Sequence, residues 1–206
     1  MSSHHIVREK QEPALLIVNL AHFANEQLGQ LLEWSPTVMV TEEVYDYADS
    51  LGIKIDAVVT QNRNFNAQEH THIVLTEYEP LEDALKYLVA EGYPAVNVIA
   101  EEFLLKDYVL FVDIINLVIF TSDKKIMPIR SGFSKWQTGG QKVHLLHDAK
   151  HLQIEGLKHL GFHAFETEKD GFYALTFEQP FLFIAEELWV WVFERQILVI
   201  LQPLVK

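Results

Sequence analysis

Residues 38–64, VMVTEEVYDYADSLGIKIDAVVTQNRN, hold two short apolar runs, TVMV completed by Thr37 and IDAVV, with a helical stretch over 42–51 between them. Apolar runs rich in β-branched residues read as strands buried on both faces. Strand, helix and strand in immediate succession predict a parallel pairing with a crossover helix. The second run ends in Thr60, Gln61, Asn62, Arg63 and Asn64, which are polar but carry no carboxylate. In an open α/β sheet the chemistry sits at such strand ends, so this loop matters for function as well as fold.

Working outward, the same alternation fills the first half. ALLIVNL precedes a helical stretch over 24–34, THIVLT precedes one over 80–91, and AVNVIA precedes one from Phe103 to about Leu117. In 80–91, Leu81, Ala84, Leu85 and Leu88 recur at spacings of three and four as one buried stripe, with Glu82, Asp83, Lys86 and Glu91 toward water. Pro80 suits the first turn. From about Val118 the pattern changes to short runs, LVIFTS, KKIMPI, QKVHLL, HLQIEG, GFYALTF and PFLFIA, separated by Asp-Lys, Gly-Gly, Asp-Gly and Gln-Pro turn signals. Evenly spaced short strands predict a β-sandwich. The expectation is an α/β N-terminal domain with an open, mostly parallel sheet over 1–121 and a C-terminal β-sandwich domain over 122–206, packed closely because no Gly/Ser/Pro-rich linker separates them.

The chain has 206 residues, enough for a real core, and no cysteine, so disulfides, thiolate nucleophiles and cysteine-ligated zinc are excluded. Its 29 acidic and 16 basic side chains give a formal charge of -13, which argues against nucleic acid and anionic membrane as partners. The apolar LWVWVFERQILVIL, 188–201, is short for a membrane span and interrupted by Glu194, Arg195 and Gln196; it reads as two strands and a tight turn. The opening MSSHHIVREKQEP has no apolar signal-peptide core, so the expected location is cytoplasmic.

Site motifs are sparse. Gly29, Gly52 and Gly92 have no phosphate-loop spacing, and Gly139-Gly140 between two strand-like runs reads as a turn. His144, His147, His151, His159 and His163 lie close in sequence, but on strands and turns the spacing of four loses its meaning, and they read as solvated imidazoles. No serine sits in a nucleophile elbow. Among the paired carboxylates Glu42 stands apart, directly after the strand TVMV.

In order, VMVTEEVYDYADSLGIKIDAVVTQNRN, EPLEDALKYLVAEGYPAVNVIA, KDY and the later GLKHL resemble the thiamine pyrophosphokinase family over roughly Pro13 to Glu187. Gly52, Ile53, Lys54 and Asp56 lie where that family has Gly-Leu-Lys-Pro-Asp. Counting from them puts its first aspartate on Glu42, its Gly-Asp-x-Asp-Ser on residues 60–64, its Thr-Asp-Leu-Glu-Lys-Ala-Leu on residues 79–85 and its Arg-x-Asp-His on residues 105–108. Glu166, Thr167 and Glu168 lie near its Ser-Asn-Glu. The resemblance implies the two-domain architecture, a homodimer with thiamine between subunits, and magnesium and ATP as cofactors of an active member. It also implies roles: Glu42 and Asp107 as catalytic metal ligands, Gln61, Arg63, Glu79 and Asp83 at the nucleotide, and Thr167 and Glu168 at thiamine.

Against the family pattern, Gln61, Arg63, Pro80 and Leu105 replace two aspartates of the strand-end motif, the aspartate at the helix start and an arginine. A guanidinium repels Mg²⁺, and proline offers no side-chain ligand. The expectation is therefore a thiamine pyrophosphokinase-like protein with weak or lost kinase activity that keeps a role in binding thiamine, thiamine diphosphate or a nucleotide, or a structural role. The alternatives are an active enzyme with a rebuilt magnesium site, in which thiamine attacks the β-phosphorus and AMP leaves, and a structural homodimer that binds no ligand.

Overall fold

The computed structural model describes Lys10 and residues 12–188. Six strands run parallel in the order β4-β3-β2-β1-β5-β6: β1 (Ala14–Ile17), β2 (Val38–Thr41), β3 (Ala57–Thr60), β4 (His72–Leu75), β5 (Ala95–Ile99) and β6 (Asn116–Phe120). β1 is buried at all four positions because both of its faces are covered. Ala14 and Leu16 join a core with Ala84, Leu85 and Leu88 of helix α3 (Pro80–Ala90). Leu15 and Ile17 join another with Leu28 of α1 (Asn25–Leu32) and Val44, Tyr45 and Ala48 of α2 (Glu42–Ser50). Each large apolar side chain buried this way stabilises the fold by roughly 1.5–3 kcal/mol. The stripe read in 80–91 thus faces the core, while Asp83, expected toward water, is half-buried and accepts a hydrogen bond from Thr76 Oγ1.

The helix expected from Phe103 to about Leu117 is corrected. Helix α4 spans only Leu105–Tyr108, continues as a 3-10 turn over Val109–Phe111, and Asn116 already starts β6. Val109, Val112, Ile114 and Ile115 are β-branched and poor at sustaining a helix. Residues from Asn116 onward are instead drawn into pairing with β5.

β6 turns through residues 121–123 into antiparallel β7 (Lys124–Ile129), and hydrogen bonding continues unbroken into β14 (Leu182–Glu187), β9 (Lys142–Leu145), β12 (Ala164–Thr167) and β11 (Leu157–Gly161). Together these make one sheet of eleven strands. A separate antiparallel sheet has the order β10-β13-β8, with β8 at Phe133–Gln137, β10 at Gln153–Glu155 and β13 at Gly171–Thr176. Ile129, Val143, Leu145, Phe165, Leu182 and Ile184 of the large sheet share a third core with Tyr173 and Leu175 of the small one. One end of this core is polar. Glu186, 4% exposed, accepts hydrogen bonds from Tyr173 OH (2.8 Å), Lys135 Nζ (2.5 Å) and Gln137 Nε2 (3.3 Å), the pairing a buried carboxylate needs.

No helix among the described residues is long and apolar enough to cross a membrane. The pair of strands read into 188–201 lies, beyond Leu188, outside the described residues.

Gly92 and Gly156 both adopt left-handed backbone, φ +76° and +72°, but only at Gly156 would an added Cβ collide, 2.4 Å from the Phe172 carbonyl oxygen. Gly92→Ala is expected to cost about 1–2 kcal/mol and Gly156→Ala at least about 2 kcal/mol more, read from urea unfolding midpoints. Equal losses would show that the close backbone approach at Gly156 carries no weight.

Candidate functional site

The chain steps outward from β1 through β2, β3 and β4, then returns to place β5 on the other side of β1. Adjacent strands leaving in opposite directions open a crevice at their C-terminal ends, the usual ligand position in such sheets. Here the backbone N–H groups of Val18 and Asn19 both donate to Ile99 O, at 2.9 and 3.2 Å. Asn19 Nδ2 donates to Glu101 Oε2 (3.0 Å), and Asn19 Oδ1 accepts from Ala21 N (2.6 Å), fixing the two lips of the crevice.

The crevice encloses about 700 Å³. Val18, Asn19 and Thr41 line it at the ends of β1 and β2, and Leu104, Leu110 and Phe111 form an apolar wall from the α4 segment. Its charged lining is Glu43, Glu79, Glu82 and Asp107 with Lys106, so the field inside is negative.

Of the residues assigned from sequence, the crevice brings together Glu79 and Asp107. Glu42 begins α2, and its Oε2 accepts a hydrogen bond from Thr60 Oγ1 (2.5 Å), turning the carboxylate toward the end of β3. Asp83 is held by Thr76 and by Lys86 Nζ at 3.4 Å. Gln61 Nε2 donates to Tyr78 O (3.0 Å), tying the β3 loop to the β4–α3 loop. Arg63 is exposed, and its guanidinium has no hydrogen-bond or ion-pair partner among the described residues. The loop keeps its shape through Asn62 N donating to Thr60 Oγ1 (2.9 Å) and Asn64 N donating to Asn62 Oδ1 (3.0 Å).

Thr167 and Glu168 lie in the other half. Thr167 is buried, donates to Thr138 O (2.5 Å) and accepts from Gln141 N (2.9 Å), while Gly140 N donates to Thr167 O (2.9 Å). It thereby anchors the turn at Gly139-Gly140. Glu168 is exposed at the end of β12.

The histidines go separate ways: His144 Nε2 lies 3.1 Å from Glu187 Oε1, His151 Nδ1 2.9 Å from Glu178 Oε1, and His163 Nε2 3.0 Å from Asp148 Oδ1, while His147 Nε2 accepts from Phe183 N (3.1 Å). Among the described residues no three His, Asp or Glu side chains converge as metal ligands would. The crevice thus holds no preformed all-protein cage among the described residues; Glu79 and Asp107 are the carboxylates that would hold a magnesium ion beside a nucleotide's phosphates.

Sequence reasoning missed Glu43, Glu82, Lys106 and the Asn19–Glu101 link. The legible signal was Asn19, a polar residue at the end of the apolar run ALLIV. Nothing in the spacing of Glu82 or Lys106 separates them from solvated helix residues.

No protein-family model matches the sequence, and no curated protein does. Solved structures do match. The thiamine pyrophosphokinase from Bacillus subtilis superposes with a TM-score of 0.65 at 10% identity, covering 86% of this chain and 100% of that one. The enzyme from Geobacillus thermodenitrificans gives 0.65 at 8% identity over 85% and 97% of the two chains. Yeast thiamin pyrophosphokinase gives 0.60 at 9% identity over 88% and 87%. The chain has the thiamine pyrophosphokinase fold, and its sequence has diverged far from these structures.

Beside the crevice, the Tyr108 hydroxyl is buried without a hydrogen-bond partner among the described residues, its ring stacked on Phe103 at 5.4 Å. Burial, and then the Asp107 charge, push the phenol above its ordinary pKa. Burial and Glu186 do the same for Tyr173. A raised folded-state value favours the neutral phenol in the fold, so the stability tied to it is complete below the unfolded pKa of about 10 and is lost as pH climbs toward the folded value. Tyr108→Phe removes an unsatisfied hydroxyl; it is expected to raise stability at neutral pH by about 1 kcal/mol and to flatten the alkaline decline, measured by denaturant unfolding across pH.

Proposed function

We propose that this chain is a thiamine pyrophosphokinase-like protein with weak or lost kinase activity that keeps a binding role for thiamine, thiamine diphosphate or a nucleotide at the crevice. The observation that carries the reading is the end of β3. Where the resembling family presents metal-binding aspartates, Gln61 donates its Nε2 to Tyr78 O and Arg63 presents a guanidinium with no partner among the described residues. Glu42, which falls on the family's first aspartate, and Asp83 are each engaged by a threonine hydroxyl. A magnesium ion would meet a guanidinium at the strand end where the family presents carboxylates, and the carboxylates lining the crevice would repel a triphosphate that carries no metal.

The reading includes a soluble cytoplasmic homodimer divided near Ser122, with the second half a β-sandwich; the core common to the two sheets supports the sandwich. Thr167 and Glu168 would lie toward thiamine, with Thr167 acting through the turn it anchors. One observation favours the alternative of an active enzyme: Glu79 and Asp107 share the crevice with Glu43, so with Glu42 they offer oxygen ligands if the loops close.

Two measurements decide between these readings. An AMP-release assay with thiamine, ATP and Mg²⁺ is expected to show turnover far below about 1 s⁻¹, and a value near that ordinary enzyme rate would overturn the proposal. Calorimetric titration with thiamine and thiamine diphosphate is expected to give dissociation constants of about 1 μM to 1 mM. No heat with either ligand, with or without ATP and Mg²⁺, leaves the purely structural homodimer.

A further inference from the structure

At the start of β7, Lys125 stands between two neighbours fixed by strand register, Phe120 of β6 on one side and Glu186 of β14 on the other. Residues directly opposite in an antiparallel pair share a face, so the three side chains project to the same side of the large sheet. That is the side covered by β8 and β13, because Glu186 meets Lys135, Gln137 and Tyr173 there.

Glu186 is the carboxylate that register brings to Lys125, and its oxygens are already taken. Oε1 accepts from Tyr173 OH and Gln137 Nε2, and Oε2 accepts from Lys135 Nζ at 2.5 Å. Lys125 Nζ makes no hydrogen bond or ion pair among the described residues. It lies 5.9 Å from the centroid of the Phe120 ring, near the outer limit of a cation–π contact.

This placement works against the ammonium form. The side chain is half-buried, and the nearest cation, Lys135, repels it. Burial first, and then Lys135, hold its pKa below that of an ordinary lysine, with Glu186 opposing. Other lysines are treated differently. Hydrogen bonds to Asp56 and Glu82 raise Lys54 and Lys86, while Lys10, Lys124 and Lys142 pair with Glu91, Asp123 and Glu187. A lysine that is desolvated beside a second cation is the kind that acts as a nucleophile.

We propose that Lys125 Nζ is a modification site that takes the acyl group of small acyl phosphates. The neutral amine attacks the carbonyl carbon and a C–N bond forms. The bond from that carbon to the bridging phosphate oxygen breaks, inorganic phosphate leaves with the electron pair, and the amine proton passes to water. The product is an uncharged amide. It ends the repulsion with Lys135, leaves Glu186 its three partners, and sets the acyl group beside the Phe120 ring, so the amide suits this place better than the ammonium does.

The test treats the full chain with acetyl phosphate between about pH 7 and pH 10 and follows each acetylated lysine by peptide mass spectrometry. At about pH 8, Lys125 is expected to react at least about threefold faster than the exposed Lys150, Lys158 and Lys169, and its rate should level off at lower pH than theirs. Lys135→Met removes the repelling ammonium and frees Glu186 to pair with Lys125, so it should slow Lys125 by at least about threefold. A Lys125 rate no higher than that of the exposed lysines, a profile that levels off at the same pH as theirs, or an unchanged Lys125 rate in folded Lys135→Met would each overturn the proposal. If that variant does not fold, the pH profile of the unaltered chain decides by itself.

Discussion

The constraint on which the molecule depends is the position of β1. It lies between β2 and β5, and all its residues are buried, so it must be apolar on both faces and two separate layers of helix must cover it. Once that is met, the rest follows in order. The strands on one side are reached by α1 and α2, those on the other by α3 and the α4 segment, and the crevice is lined at the ends of β1 and β2 and by the α3 and α4 segments. The crevice is thus a by-product of strand order and needs no particular side chain to exist. Its chemistry is set separately, by the few residues that the loops present.

That separation explains what was legible in the sequence. The runs ALLIV, TVMV, IDAVV and AVNVI are continuous and β-branched because two covered faces demand it, so their strands could be read directly. The stripe of Ala84, Leu85 and Leu88 was legible for the same reason at helical period. β8 was not. Its inward side chains include Lys135 and Gln137, which serve the buried Glu186, while Trp136 points out, so its polarity runs against the ordinary alternation. The α4 segment misled in the other direction: apolar apart from Lys106, Asp107, Asp113 and Asn116, it looked like a longer helix, yet Leu104, Leu105, Val109 and Leu110 are exposed around a four-residue helix.

The site was less legible than the fold because its residues act through three-dimensional partners. Glu42 looked like a ligand by position, but Thr60 at the end of a neighbouring strand holds its carboxylate. Asp83 is likewise bound by Thr76. Neither hydroxyl partner can be paired with its carboxylate from spacing alone, since 18 and 7 residues separate them. Glu79 and Asp107 share the crevice only because α3 and α4 both begin at the same edge of the sheet.

A metal-binding loop and a metal-free one place different demands on the backbone at a strand end. Carboxylates crowded on one loop repel one another until a cation neutralises them, so a loop that carries several is completed by its ligand. The loop after Thr60 is completed by the chain itself: Thr60 and Asn62 accept from backbone N–H groups two residues on, Gln61 reaches Tyr78, and Phe65 closes the far end by packing edge-on against Tyr45 at 5.0 Å. Such a loop holds its conformation with no cation bound, and adding one would have to displace hydrogen bonds already made. The same bonds that hold the loop without carboxylates therefore oppose metal binding at this position. Arg63, whose guanidinium has no partner among the described residues, is placed to meet an anion directly.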